Sequence, residues 1–321
     1  MKRFKNILYV TKFGMALKAF HQAVDLAERN NAFLTVVLVM ERIPPYLTLL
    51  KPDVLQRARI KELSVALDKL SELVKGRVKI ETKIVEGEFF LEVVREVVRN
   101  GRDLVVKATD GDTGFAGGLF GTTDRHILRK CPCPVWLIKS TEPTPIQRVM
   151  ACVDLSDSTE PGLDASESLN RTILELAASV ATTNQTELHL VHVWDVPAED
   201  TLRSARTGFS EEEADEFVEE IHQYHEDWLA GLMNQTKNWI GEEVFNSITV
   251  KLHLPKGAAR DLILTLSQEL NIDLVVMGTV ARTGIPGFFI GNTAESVLGQ
   301  INCSVLAVKP AGFITPVTLG E

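Results

Sequence analysis

The residues best placed to do chemistry form one run, Gly278-Thr279-Val280-Ala281-Arg282-Thr283-Gly284-Ile285-Pro286-Gly287-Phe288-Phe289-Ile290-Gly291-Asn292-Thr293-Ala294-Glu295. It leaves the strand-like segment Asp273–Met277 and enters a helix. Glycines at 278, 284, 287 and 291 let the backbone approach a ligand closely and adopt positive φ. Gly291-Asn292-Thr293 would open that helix with free N–H groups and a positive dipole end, which suits a phosphate. The same residues also fit a plain strand-to-helix turn, with Asn292 as N-cap and Glu295 completing a capping box. Arg282 could add a cationic contact to phosphate or simply face solvent.

Other candidates are weaker. Cys131-Pro132-Cys133 is too closely spaced for an ordinary zinc knuckle. Cys133 and Cys303 precede the last strand of two matched segments, so buried structural thiols are the better reading. A metal role would need further ligands, with His126 the one to examine, and no metal is expected. His189 and His192 sit three apart on a strand and point to opposite faces. No Ser-His-Asp set, HExxH or P-loop lysine appears, so no catalytic residue is assigned and no enzyme is expected. Phe288-Phe289-Ile290 could pack beneath its loop or line a groove for an apolar ligand or partner.

The elements that must position the loop occur twice. Gly87, Asp103-Leu104, Val105-Val106, Thr113-Gly114, Gly117, Gly121, Cys133 and Lys139 return 170 residues later as Gly257, Asp273-Leu274, Val275-Val276, Thr283-Gly284, Gly287, Gly291, Cys303 and Lys309. The opening strands are offset by 142 (Ile7 to Val149) and the second strands by 154 (Leu34 to Leu188). The second copy therefore holds 12 extra residues around its first helix (154 − 142) and 16 more around its second (170 − 154). The second insertion is acidic, Glu211 through Glu220, and reads as a solvated helix face. Within each copy, β-rich apolar runs alternate with amphipathic segments in the order β-α-β-α-β-α-β-α-β. That alternation specifies an α/β fold, two tandem doubly wound parallel sheets with helices on both faces. The copies span residues 1–140 and 146–310, joined at Ser140–Pro145, with an irregular tail at 311–321. In such sheets ligands bind outside the carboxyl ends of the strands.

Bulk properties narrow the partners. The 321 residues are 45% hydrophobic and carry a net charge of −9, which argues against nucleic acid. No apolar stretch is long enough to span a bilayer, so membrane insertion is not expected. Met1–Asn6 runs straight into a strand without a signal-peptide pattern, and four cysteines make no disulfide scaffold; the expected location is cytoplasmic.

Val149-Met150-Ala151-Cys152-Val153-Asp154, His192-Val193, and Met277-Gly278-Thr279 with its glycine loop resemble the universal stress protein family. The resemblance covers both copies and is nearest to the tandem bacterial members. It implies a five-stranded parallel sheet in the order 3-2-1-4-5 for each domain. It also implies ATP bound through Gly-x2-Gly-x9-Gly-Ser/Thr, with an Asp at the end of the first strand near adenine. In the second copy Gly278 and Gly291 fit that pattern, while Ala281 replaces the middle glycine and Asn292 the Ser/Thr, with Thr293 one place late. Asp154 takes the adenine-side position, Val193 and Met277 the adenine-pocket positions, and Arg282 and Gly284 complete the loop. In the first copy Lys12 stands for the Asp and Ala108 for the first glycine, although Gly111 and Gly121-Thr122 fit. Asp110 and Asp112 would there repel a triphosphate. The resemblance thus implies a stress-response protein holding ATP in its C-terminal domain only, regulatory rather than catalytic. Its two domains would pair within the chain, and a homodimer or protein partner stays open. A non-nucleotide scaffold for an apolar ligand or protein partner, and a slow ATPase, are the alternatives.

Overall fold

The computed structural model describes residues 3–12, 16–41, 52–109, 120–139, 145–155, 163–181, 186–204, 208–279 and 290–319, with backbone alone at 52–53 and 163–166. The first copy runs β1 (Asn6–Thr11), α1 (Leu17–Asn30), β2 (Phe33–Met40), α2 (Pro52–Leu73), β3 (Lys79–Glu86), α3 (Phe89–Asn100), β4 (Leu104–Ala108), α4 (Thr122–Lys130) and β5 (Val135–Ile138). The second repeats that order as β6 (Arg148–Cys152), α5 (Leu163–Val180), β7 (Glu187–Val191), α6 (Glu199–Leu202), α7 (Glu211–Ile240), α8 (Glu242–Asn246), β8 (Thr249–His253), α9 (Ala259–Glu269), β9 (Leu274–Gly278), α10 (Asn292–Gln300) and β10 (Ser304–Val308).

These elements form two compact units, Met1–Thr144 with Gly278–Glu321, and Pro145–Met277. In the first unit the strand order is β3-β2-β1-β4-β5-β10. The first five strands are parallel, and β10 is antiparallel to β5. Consecutive residues are buried along β1 and β2, so both sheet faces are covered, as an unbroken run such as Phe33–Met40 requires. On α1 the small residues Ala19, Ala23 and Ala27 repeat every four positions and are buried, which lets the helix lie close on the sheet. The second unit has the order β9-β6-β7-β8, all parallel. In the first unit, Thr279, the residue after β9, donates its N–H to Val308 O in β10 (2.9 Å). Each copy thus follows the order 3-2-1-4-5.

Several repeated residues have matching jobs. Asp103 accepts N–H bonds from Lys5 (2.6 Å) and Asn6 (3.1 Å) at the start of β1. Asp273 accepts N–H bonds from Gln147 and Arg148 (2.8 Å each) at the start of β6. Gly87 and Gly257 have φ of 158° and 138°, and a Cβ at Gly87 would come within 2.7 Å of Glu92 Cγ. The registers agree as well: Ile7 faces Leu104 as Val149 faces Leu274.

The chain passes between the units twice, at Thr144–Pro145 in the linker and at Met277–Gly278 inside β9, because α10 and β10 group with the first copy. Trp136 of β5 faces Leu306 of β10, and these two positions are matched by the offset of 170. The antiparallel pair is therefore a local two-fold contact between equivalent segments. Lys139 Nζ donates to Asn302 O (2.6 Å), Ser304 Oγ accepts the Lys139 N–H (3.0 Å), and Arg129 pairs with Glu295. Along the tail, Arg95 donates to Thr318 O (3.2 Å) and Arg99 to Leu319 O (2.8 Å), so it is irregular but held. Among the described residues no helix is long and apolar enough to cross a membrane.

Asp273→Ala removes the carboxylate oxygen that accepts both N–H groups at the head of β6. It should lower unfolding free energy by about 2–3 kcal/mol in urea titrations, with Asp273→Asn losing less.

Candidate functional site

In the second unit, three of the expected site residues lie at the carboxyl edge of parallel strands. Met277 is buried and faces Cys152 across the β6–β9 pair. Asp154, exposed, stands two residues beyond the end of β6, and Val193, half-buried, two beyond the end of β7. Just past β6, Val153 N–H still donates to Val191 O (3.0 Å).

The expected glycines belong to the first unit. Gly278 ends β9, and Gly291 precedes α10 with extended backbone (φ −63°, ψ 147°). Gly291 donates its N–H to Thr279 O (2.9 Å), which ties the helix start to the strand exit. Asn292 and Thr293 form the exposed first turn. The N-cap is Gly291, not Asn292, and among the described residues no side chain caps the helix. The capping-box expectation for Glu295 fails with it, because Glu295 sits one place too late and pairs with Arg129 instead. Arg282, Gly284 and Phe288-Phe289 lie outside the described residues.

Thr279 and Lys309 supply a node that the sequence did not single out. Lys309 Nζ donates to Thr279 Oγ1 (2.7 Å), and Thr279 Oγ1 in turn donates to Val308 O (3.2 Å). Burial pushes the Lys309 ammonium down to about 8, and it lies 4.8 Å from the Phe313 ring.

The corresponding place in the first copy is filled by its own side chains. Lys107, matched to Met277 by the offset of 170, forms an ion pair with Asp124, matched to Ala294 (2.9 Å). Both are almost fully buried, at 3% and 0% exposure. Lys107 also donates to Ala108 O (2.7 Å), and Asp124 accepts the Gly121 N–H (3.2 Å) that in the second copy goes to Thr279. Lys12, the counterpart of Asp154, lies 5.0 Å from the Phe89 ring, and Lys107 lies 5.6 Å from it. The expected aspartates at 110 and 112 are outside the described residues.

Cys131, Cys133 and Cys303 are buried, as structural thiols should be; burial pushes the Cys133 thiol up, and the Cys152 thiol up to about 12. His126 stacks on Phe90 (4.6 Å). Among the described residues no group of three or more His, Cys, Asp or Glu could hold a metal. His189 and His192 do diverge, and each finds another histidine. His189 Nδ1 lies 2.9 Å from His253 Nε2, and His192 Nε2 lies 2.8 Å from His225 Nδ1 on α7. The acidic first turn of α7 is exposed, and Glu213 completes a capping box with Ser210, but its later turns bury Leu229, Leu232, Thr236 and Ile240. The acidic segment Glu211 through Glu220 is thus a solvated helix face apart from Ala214, and the buried positions belong to the later turns of α7.

The chain matches the family described as Universal stress protein family twice, over residues 3–139 and 145–309. Universal stress protein E of Escherichia coli K12 is 34% identical over 246 residues, 76% of this chain and 72% of that protein. Universal stress protein E of Photorhabdus laumondii is 26% identical over 326 residues, 99% of this chain and 98% of its own. A solved universal stress protein from Pseudomonas aeruginosa UCBPP-PA14 shares the fold, with a TM-score of 0.67 at 23% identity over 96% of this chain and 94% of that one.

Lys107→Met alone leaves a buried carboxylate without its cation and should cost about 3–5 kcal/mol in urea unfolding. Adding Asp124→Ala reproduces the second copy's pair of residues and should recover most of that loss.

The His189–His253 pair makes stability depend on pH. Burial, then the His253 ring, lowers the His189 pKa against the opposing pull of Glu187; burial and Lys251 lower that of His253. Above the ordinary imidazole value of about 6.5, both rings are neutral whether folded or not. Below it the unfolded chain takes up protons that the folded pair resists, so stability falls as pH drops from about 6.5 through the lowered folded values. Urea midpoints should decline from about pH 7.5 to about pH 5.5, less steeply in His253→Asn.

Proposed function

The chain belongs to the universal stress protein family, and we propose that it is a cytoplasmic regulatory protein whose second copy, residues 146–310, holds one adenine nucleotide. The first copy, residues 1–140, serves as its pairing partner and holds none. Asp154, Val193 and Met277 would take the adenine side. Gly278, Arg282, Gly284, Gly291, Asn292 and Thr293 would take the phosphates.

The contrast between matched positions carries this reading. Where the first copy buries Lys107 against Asp124 and sets Lys12 beside Phe89, the second has Met277, Ala294 and Asp154. An apolar residue and an exposed carboxylate at a strand edge suit a purine, with its flat apolar faces and amino hydrogens. The uncapped start of α10 leaves N–H groups available to an anion. A buried ion pair at the equivalent place fills it with the chain's own charges. In this reading the role follows from binding, with a protein partner reading the bound state.

Purified protein should release adenine nucleotide on denaturation, up to one per chain. The stripped protein should rebind ATP in titration calorimetry with one site. Asp154→Ala should weaken binding at least about tenfold, a loss of the size expected for hydrogen bonds to a charged group, and Gly291→Val more, whereas Lys12→Ala should leave it unchanged. Two sites per chain, or binding indifferent to Asp154, would count against the assignment.

A further inference from the structure

Asp154 can recognise a ligand only if its backbone is fixed, yet it lies beyond the last ladder residue of β6. The four main-chain polar groups of Val153 and Asp154 are nonetheless all engaged. Val153 N–H goes to Val191 O (3.0 Å), and Val153 O accepts from His192 Nδ1 (3.3 Å). Asp154 N–H donates to Asn170 Oδ1 (3.2 Å), and Asp154 O accepts from Asn170 Nδ2 (2.8 Å). Asn170 is buried in α5 and grips Asp154 with both ends of its amide, as a neighbouring strand would.

The histidine arm fixes its own protons. A carbonyl only accepts, so His192 Nδ1 carries the hydrogen and Nε2 presents a lone pair. The atom 2.8 Å from that lone pair is His225 Nδ1, which must therefore donate. His225 belongs to α7, whose segment carries the second insertion, and Trp194 and Trp228 pack against the two rings. The first copy has neither arm. At the place aligned with Asn170 by the offset of 154 it has Ala16, and Lys12 replaces Asp154.

We propose that Asn170 and the His192–His225 pair are positioning residues that hold Val153–Asp154 for ligand recognition in the second copy. The proposal deepens the nucleotide reading and rests on it. The test uses the full chain stripped of nucleotide, Mg-ATP as the probe in calorimetry, and hydrogen exchange of the Asp154 amide as a readout that needs no ligand. Asn170→Ala should weaken ATP about tenfold and quicken Asp154 exchange by a similar factor. His225→Phe removes the donor and should weaken ATP several-fold, while His225→Asn, whose amide N–H can replace Nδ1–H, should restore affinity to within about twofold. Nitrogen chemical shifts should show His192 protonated at Nδ1 in the wild type. If Asn170→Ala folds poorly, the two His225 variants on α7 decide alone. ATP affinity that is unchanged in Asn170→Ala, or equal in the two His225 variants, overturns the proposal and leaves the nucleotide reading intact. A wild type that binds no ATP sinks the nucleotide reading and the ligand role of the clamp together. Quickened Asp154 exchange would then show that the clamp still holds the backbone.

Discussion

Two carboxylates set the level from which everything else is measured. Asp103 and Asp273 each accept a pair of backbone N–H groups at the head of the first strand of their copy. Each directly precedes the fourth strand, β4 or β9, so one side chain fixes the stagger of the central strand pair. A parallel pair has no tight turn to set its register, and a slip of one residue would send every side chain to the wrong face. With the heads fixed, the tails are fixed: Met277 must stand opposite Cys152, and Asp154 must emerge two residues later. The chemistry at the carboxyl edge depends on a constraint at the other end of the sheet.

Given the same frame, the two copies spend their strand exits differently. In the first, Lys107 and Asp124 bury a full charge each and neutralise one another. Such a pair gives little net stability over an apolar equivalent, because desolvation offsets the attraction. It does set these two charges against each other at 2.9 Å. In the second copy Met277 and Ala294 replace them, and the start of α10 has no side-chain cap.

Much of this was legible in the sequence. The offsets of 142 and 170 reappear as equal registers, and the alternation of elements gave the class of fold. Asp154, Val193 and Met277 come from the family resemblance on three separate segments, and they lie at the carboxyl ends of β6, β7 and β9. Other features were hidden for physical reasons. Four or five apolar residues make a strand but carry no direction, so the antiparallel β5–β10 contact could not be foreseen from Val135–Ile138 and Ser304–Val308. Asn292 is a good capping residue by type, but the cap is decided by backbone angles, and those fall to Gly291. Lys107 looks like an ordinary lysine at a strand end until Asp124, 17 positions on, is seen to meet it.

The insertions show why sequence composition misleads most where function is added. The charges of Glu211 through Glu220 advertise a solvated helix, and that part of α7 is solvated. The same helix continues into His222, His225 and Trp228, which close around Trp194 and His192. Histidine and tryptophan each offer an apolar face and one directional hydrogen bond, so a few of them can dock a helix and orient it at once. A purely apolar contact would dock α7 as well but leave His192 Nε2 without a hydrogen-bond partner from this helix. The later turns of α7 thus meet the exit of a strand far from them in sequence, through His225 on His192 and His192 on Val153.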